Sequence, residues 1–256
     1  MIDEDVTESD PSMDNGWDSS AQAWIDSMGE QGERGDWGRQ NVLDPVMMAR
    51  VAKGRFNNAL DVGCGEGRFC RMLKAAGVSA TGIDPTPAML DAARKRDPGG
   101  DYRPGNAEAL EFADASFDLV VSYITLVDIP DFRAAIREMA RVLRPGGALL
   151  IANLTGYISA CIDKGWVKGS EGEHLYYPVD NYLGEFPLWL EWSGIRIVNW
   201  HRPLDAYMTA FLEAGLSLKF FAEPAPVSGD IDHQERARRV PWFLVMEWQR
   251  PIAPPR

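Results

Sequence analysis

The run Leu60-Asp61-Val62-Gly63-Cys64-Gly65-Glu66-Gly67 decides the fold. An apolar strand, Ala59 to Val62, enters three glycines at alternate positions and continues into a helical stretch from Arg68 to Ala75. Glycines suit such a loop because the turn needs permissive dihedrals and a ligand must approach the backbone without meeting a Cβ. The dinucleotide fingerprint is G-x-G-x-x-G, with a pyrophosphate at the helix N-terminus. Here the spacing is G-x-G-x-G. Taken alone, the triplet also fits an ordinary strand-to-helix turn.

Outward from the loop, short apolar runs alternate with helical stretches, the pattern of βαβ units and a parallel sheet. Strands are expected at Ala80 to Ile83, around Tyr102 and Arg103, at Phe117 to Ser122 and at Ala148 to Ala152. Helices are expected at Pro87 to Arg96 and Phe132 to Leu143, with Thr86 as N-cap and Arg144 to Gly147 as a turn. Leu204 to Ala214 reads as a helix closed by Gly215, and two late strands, Leu216 to Phe221 and Trp242 to Trp248, read as an antiparallel edge hairpin. The expectation is an α/β fold: a doubly wound, Rossmann-like, mostly parallel sheet of seven strands with helices on both faces. Residues 1–18 read as a disordered acidic tail, 19–57 as N-terminal helices with structure beginning near Ala21, and 58–154 as the core. Residues 155–202, rich in Gly, Trp and Tyr, read as a lid over the active site, and 203–256 as a C-terminal helix and strands.

Two acids give the loop its chemistry. Asp61 would repel a pyrophosphate but can accept hydrogen bonds from an ammonium group. Asp84 follows the second strand 84 − 61 = 23 residues later, near the ~20-residue offset of a carboxylate that holds ribose hydroxyls, although a helix-dipole acid is the other reading. Ribose plus ammonium describes S-adenosylmethionine better than NAD.

From about Asn58 to Asn153 the chain resembles the class I S-adenosylmethionine-dependent methyltransferases, in particular their small-molecule, methyltransferase type 11-like branch. The resemblance rests on LDVGCGEGRF, GID ending at Asp84, GNAEALEFADASFDLVVS and RVLRPGGALLIAN, in that order. It implies that Gly63, Cys64 and Gly65 lie along the methionine portion, Asp84 and Pro85 at the ribose, and Asn106 with Ala107 at the adenine. Backbone around Ser122 and Tyr123 would face the methionine amino group, and Arg39 would pair with its carboxylate. The family usually has Asp where Asn106 stands; an amide both donates and accepts, so adenine recognition stays feasible. After the fourth strand the chain lacks the Asn/Asp-Pro-Pro-Tyr/Phe segment of related enzymes, which argues against base or glutamine methylation.

Methyl transfer from a sulfonium needs alignment and exclusion of water, and a base only when the nucleophile carries a proton to lose. Candidate bases are His201, His174 and Asp128; each also has a structural reading, as a backbone-bonded imidazole or a helix cap. His233 falls in a polar loop and reads as inert. Aromatic residues between Trp166 and Trp200 offer a stacking wall for a flat acceptor or simple packing for the lid.

The 256 residues carry a net charge of −12, which opposes a nucleic-acid partner; the densest basic patch, Arg236, Arg238 and Arg239, reads as a solvated turn. Three cysteines in no zinc-like spacing fit a reducing compartment, and no run of 18 apolar residues marks a membrane span, so a cytoplasmic protein is expected. No metal site is evident and oligomeric state is not legible. The expected function is methyl transfer to the O, N or C of a small molecule. The alternatives are a non-catalytic S-adenosylmethionine-binding scaffold or regulator, and a protein or RNA methyltransferase.

Overall fold

The computed structural model describes residues 14–29, 36–161 and 165–252. Its centre is a seven-stranded sheet built from β1 (Asn58–Val62), β2 (Ser79–Asp84), β3 (Asp101–Pro104), β4 (Phe117–Tyr123), β5 (Leu143–Leu154), β10 (Ser217–Ala222) and β11 (Phe243–Gln249), in the order β10-β11-β5-β4-β1-β2-β3. The pairings among β1 to β5 are parallel, while β11 runs antiparallel to both β5 and β10. The late pair therefore lies at one edge and is antiparallel, as expected.

Successive side chains of a strand point to opposite faces, so a sheet covered on both sides needs apolar residues throughout. Leu60, Val62 and Val120 pack on one face against α5 (Phe132–Val142) and α7 (Leu204–Glu213); Ala59, Leu119 and Val121 pack on the other against α2 (Asp44–Lys53) and α3 (Arg68–Ala75). Fully burying one such Leu, Val or Met contributes roughly 1.5–3 kcal/mol relative to exposure. Asp131 fixes the start of α5 by accepting from the Ala134 N–H at 2.9 Å, and Gly215, at φ +77°, turns the chain after α7.

Four sequence expectations need correction. The acidic tail does not extend to Asp18: helix α1 (Trp17–Ser27) begins four residues before Ala21, because Asp14 and Asn15 accept from the Gly16 and Trp17 N–H groups. The remainder of that tail, residues 1–13, lies outside the described residues. Arg144 to Gly147 is not a turn between elements but an irregular stretch within β5, where the register with β4 shifts. Arg236, Arg238 and Arg239 sit on α8 (Ile231–Arg239), capped by Asp230, and not in a turn. Within the N-terminal helices expected over 19–57, the second starts as a π-helical turn, Arg39–Leu43, which leads into α2.

Residues 155–202 form α6 (Gly156–Ser159) and two antiparallel ribbons, β6 (Val167–Lys168) with β7 (His174–Tyr176) and β8 (Phe186–Trp192) with β9 (Ile195–His201). The second ribbon is tied to α1. Asn15 O accepts from the Val198 N–H at 3.0 Å, and the Ser20 hydroxyl bonds both Arg196 N and Arg196 O at 2.9 Å. These bonds clip α1 to β9. From below, Arg96 on α4 (Pro87–Arg96) donates to Ile25 O and Gly29 O at 3.0 and 2.8 Å. Helix α1 is thereby suspended over the carboxyl ends of the strands, where open α/β sheets bind their ligands.

Candidate active site

A cavity of about 990 Å³ opens between those strand ends, α1 and the β8–β9 ribbon. Small-molecule sites run to roughly 300–1,000 Å³, so this one has the capacity for two ligands side by side. It is bounded by the loop after β1, the loop after β4 and the switch point between them, where the chain reverses its order across the sheet.

The glycine loop is held to β2. Gly63 N and Cys64 N both donate to Ile83 O at 2.9 Å, and Gly65 N donates to Asp84 Oδ2 at 2.9 Å. Gly63 lies at φ +72°, and a Cβ there would overlap the Thr125 side chain; Gly65 lies at φ +53°, and a Cβ there would meet nothing within 4 Å. The first glycine is demanded by a neighbouring chain segment. At the second, the left-handed backbone faces open space in the cavity.

Asp84 also accepts from the Thr86 N–H at 2.9 Å, so both carboxylate oxygens are anchored by backbone on the cavity wall. Asp61 is almost wholly buried; Oδ2 takes a weak bond from the Cys70 thiol at 3.4 Å, and Oδ1 has no partner among the described residues. Burial, reinforced by the nearby charges of Asp84 and Glu66 and offset by the Cys70 thiol, pushes the Asp61 carboxyl up to about 7. A buried acceptor without a donor is costly, and a bound cation or N–H group removes that cost.

Asp61, Gly63, Cys64, Gly65, Asp84 and Pro85 line this one cavity, and so do Asn106, Ala107, Tyr123, Asp128 and Arg39. Asn106 Oδ1 is occupied by the Glu108 N–H at 2.9 Å. Arg39 pairs with Asp36 and lies over the Trp24 ring at 4.8 Å. The Ser122 side chain is not on the wall: β4 alternates, so its hydroxyl is buried in the core while Tyr123 lines the cavity and donates to Asp44 at 2.8 Å.

The two leading histidine candidates fall outside the wall. His201 is fully buried, with Nε2 on Tyr182 O at 2.8 Å and Nδ1 on Ser159 Oγ at 2.7 Å. A carbonyl only accepts, so Nε2 carries the proton and Nδ1 takes the serine hydroxyl; burial lowers the imidazole's affinity for a second proton. This ring cross-braces β9 and α6. His174, on the β6–β7 ribbon, sits edge-on to Trp166 at 5.8 Å. The histidine that does line the cavity is His233, stacked on Trp37 at 4.2 Å with planes 11° apart. It stands on α8 and not in a loop.

Asp128 is brought to the cavity by the loop after β4. Its carboxylate accepts from Asn199 Nδ2 at 2.6 Å and from the Trp17 indole. Burial pushes it up to about 8, against the lowering effect of those donors and of Arg39. The loop is held by Arg202, which is buried and donates to Leu126 O, Ile129 O and Pro130 O at 2.8, 2.6 and 2.8 Å. Trp17, Trp24, Trp37 and Trp242 supply most of the aromatic wall, with Trp192 from the inserted region. The lid's other aromatics pack elsewhere. The sequence hid this because these tryptophans are far from the glycine loop along the chain; the clip between α1 and β9 brings Trp17 and Trp24 over it.

Residues 60–151 match the family model described as a methyltransferase domain. This stretch is thus similar to a methyltransferase domain, and the fold is that of the class I S-adenosylmethionine-dependent methyltransferases. Among solved structures, an S-adenosylmethionine-dependent methyltransferase from Mesorhizobium loti superposes with a TM-score of 0.71 at 27% identity, covering 80% of this chain and 96% of that one. A malonyl-[acyl-carrier protein] O-methyltransferase from Serratia marcescens is 34% identical over 122 residues, 47% of this chain and 48% of the relative. The chain thus spans about half the length of the curated relatives it matches. The same fold occurs in the [4+2]-cyclase SpnF, at a TM-score of 0.60 and 17% identity, covering 93% of this chain and 95% of that one. Fold and chemistry are separable in this architecture.

The cofactor of this family and fold is S-adenosylmethionine, and the wall fits it on two observations: the partnerless Asp61 Oδ1 and the open space above Gly65. Among the described residues, no cluster of His, Cys, Asp and Glu suits a metal ion, and no helix is long and apolar enough to cross a membrane.

Proposed function

We propose that this chain transfers a methyl group from S-adenosylmethionine to a small molecule enclosed in the cavity. The observation that carries this reading is the continuity of one cavity of about 990 Å³ from the glycine loop and Asp84 to the aromatic wall beneath α1. When bound, the cofactor supplies an electrophilic methyl group on a sulfonium. Asp61 takes the ammonium of its methionine portion, Gly63, Cys64 and Gly65 admit that portion to the backbone, and Arg39 takes its carboxylate after leaving Asp36. Asp84 and Pro85 hold the ribose, and Asn106 with Ala107 holds the adenine. Tyr123 presses on the methionine end; Ser122 contributes backbone only.

Helix α1 and the β8–β9 ribbon exclude water, and Asp128 is the one candidate base of the three that reaches the cavity. A concave chamber of this volume suits a metabolite. O-methylation of a malonyl group on a carrier protein, the reaction named for the Serratia relative, is one candidate acceptor chemistry. Three cysteines that are buried and free support a reducing, cytoplasmic setting. Incubation with methyl-tritiated S-adenosylmethionine and a fractionated cell extract tests the reading. Label in the small-molecule fraction supports it; label in protein or RNA replaces it with a polymer methyltransferase, and cofactor binding with no label in any fraction replaces it with a scaffold.

A further inference from the structure

The acceptor end of the cavity has a charge pattern of its own. Among the described residues its wall carries two guanidinium groups, Arg39 and Arg68, and each is already paired with a carboxylate, Asp36 and Asp44 respectively. Asp61 and Asp84 are committed to the cofactor in the reading above. Asp128 remains. Both groups hydrogen-bonded to it, the Asn199 amide and the Trp17 indole, are neutral: they fix its orientation but leave its ionised form without a paired cation, which a ligand's ammonium would supply. The charged groups acting on it from neighbouring elements are Arg39, which attracts, and Asp84, which repels. Trp17 touches it, and the same cavity wall carries the indoles of Trp24, Trp37, Trp192 and Trp242. Indole faces attract cations by roughly 0.5–2 kcal/mol each and stack on flat apolar groups.

We propose that the acceptor is an amine attached to a flat apolar group, its ammonium bound by the Asp128 carboxylate and its apolar body by the indole wall. The inference rests on the methyl-transfer reading and names its substrate class. An ammonium nitrogen has no lone pair to offer. Asp128 therefore takes one proton from it: the N–H bond breaks, its electron pair stays on nitrogen, and the carboxylate becomes a carboxylic acid. The freed pair forms the N–C bond as the C–S bond breaks, with that pair going to sulfur to leave a thioether. Charge balances, because the sulfonium's positive charge passes to the methylated nitrogen. A carboxylate acceptor would instead place an anion beside Asp128, with both guanidinium groups of the described wall already engaged.

The test uses the full chain saturated with S-adenosylhomocysteine, titrated in a calorimeter with tryptamine and with 3-indolepropionate, which share a ring and differ in charge. Tryptamine is expected to bind at least tenfold more tightly than the acid. In Asp128→Asn, which keeps the shape and one acceptor oxygen, tryptamine binding is expected to fall at least tenfold while S-adenosylhomocysteine affinity holds. Binding of the acid as tightly as the amine, binding of neither, or an Asp128→Asn variant that binds tryptamine as the parent does overturns the proposal. The wild-type comparison stands even if the variant fails to fold. Failure of S-adenosylhomocysteine itself to bind would instead strike at the underlying methyl-transfer reading.

Discussion

Gly65→Ala separates what the glycine loop does for binding from what it does for folding. Residue 65 lies at φ +53°, and a Cβ placed on it has nothing within 4 Å. The folding cost is then the left-handed backbone alone, about 1–2 kcal/mol for an L-residue. For a chain of this size that lowers the melting temperature by roughly 2–4 °C per kcal/mol. The new methyl group projects into the space assigned to the cofactor, so S-adenosylmethionine affinity should fall at least tenfold, about 1.4 kcal/mol. Gly63→Ala is the control. Its φ is +72° and its Cβ overlaps Thr125, so overpacking adds about 1–3 kcal/mol to the same backbone strain. Thermal unfolding should rank Gly63→Ala as the less stable variant, and calorimetry should show Gly65→Ala folded but poor at binding. A Gly65→Ala protein with parental affinity, or one less stable than Gly63→Ala, would refute the reasoning.

Asp84→Ala removes the acceptor of both Gly65 N and Thr86 N, at roughly 1–3 kcal/mol for each donor left unsatisfied, and calorimetry should show cofactor binding lost along with some stability. His201→Ala should unfold at lower denaturant because Ser159 and Tyr182 O lose their partner, while KM for the cofactor stays within about twofold, or 0.4 kcal/mol; a selective loss of kcat in a fully stable variant would restore the histidine as a base. Asp61 sets a pH dependence with two signs. Its folded pKa of about 7 lies above the ordinary 3.8, so between those values the folded apoprotein holds more protons than the unfolded chain and its stability falls as pH rises. Cofactor affinity should rise through the same upper limit as the carboxylate ionises to meet the ammonium, and Asp61→Asn should flatten both profiles in melting and titration experiments.

The core was legible because a doubly wound sheet writes its strands as short apolar runs. Arg68–Ala75 and Pro87–Arg96 fell on the expected residues, since a glycine loop and a proline at the first helical position mark their starts. The cofactor end was legible for the same reason: Asp61, Gly65 and Asp84 are placed by local turns, and one strand pair brings them together. The acceptor end was not. Trp17, Trp37, Asn199, His233 and Trp242 converge only through the α1–β9 clip, the π-helical turn and the packing of α8, none of which leaves a periodic signal. His201 misled for a physical reason: a histidine beside tryptophan looks reactive in sequence, and only the structure shows both of its nitrogens occupied within the fold. His233 misled in the opposite sense, since a polar stretch with Asp230 as its cap proved to be a helix that presents the ring to Trp37.

The central claim is that the wall built by Asp61, Gly65 and Asp84 holds S-adenosylmethionine. Titration calorimetry of the purified chain with S-adenosylmethionine, and with NAD in parallel, tests it most directly. Micromolar one-to-one binding of S-adenosylmethionine, with no heat from NAD, is the result the structure leads to; binding of NAD, or silence with S-adenosylmethionine, would contradict it.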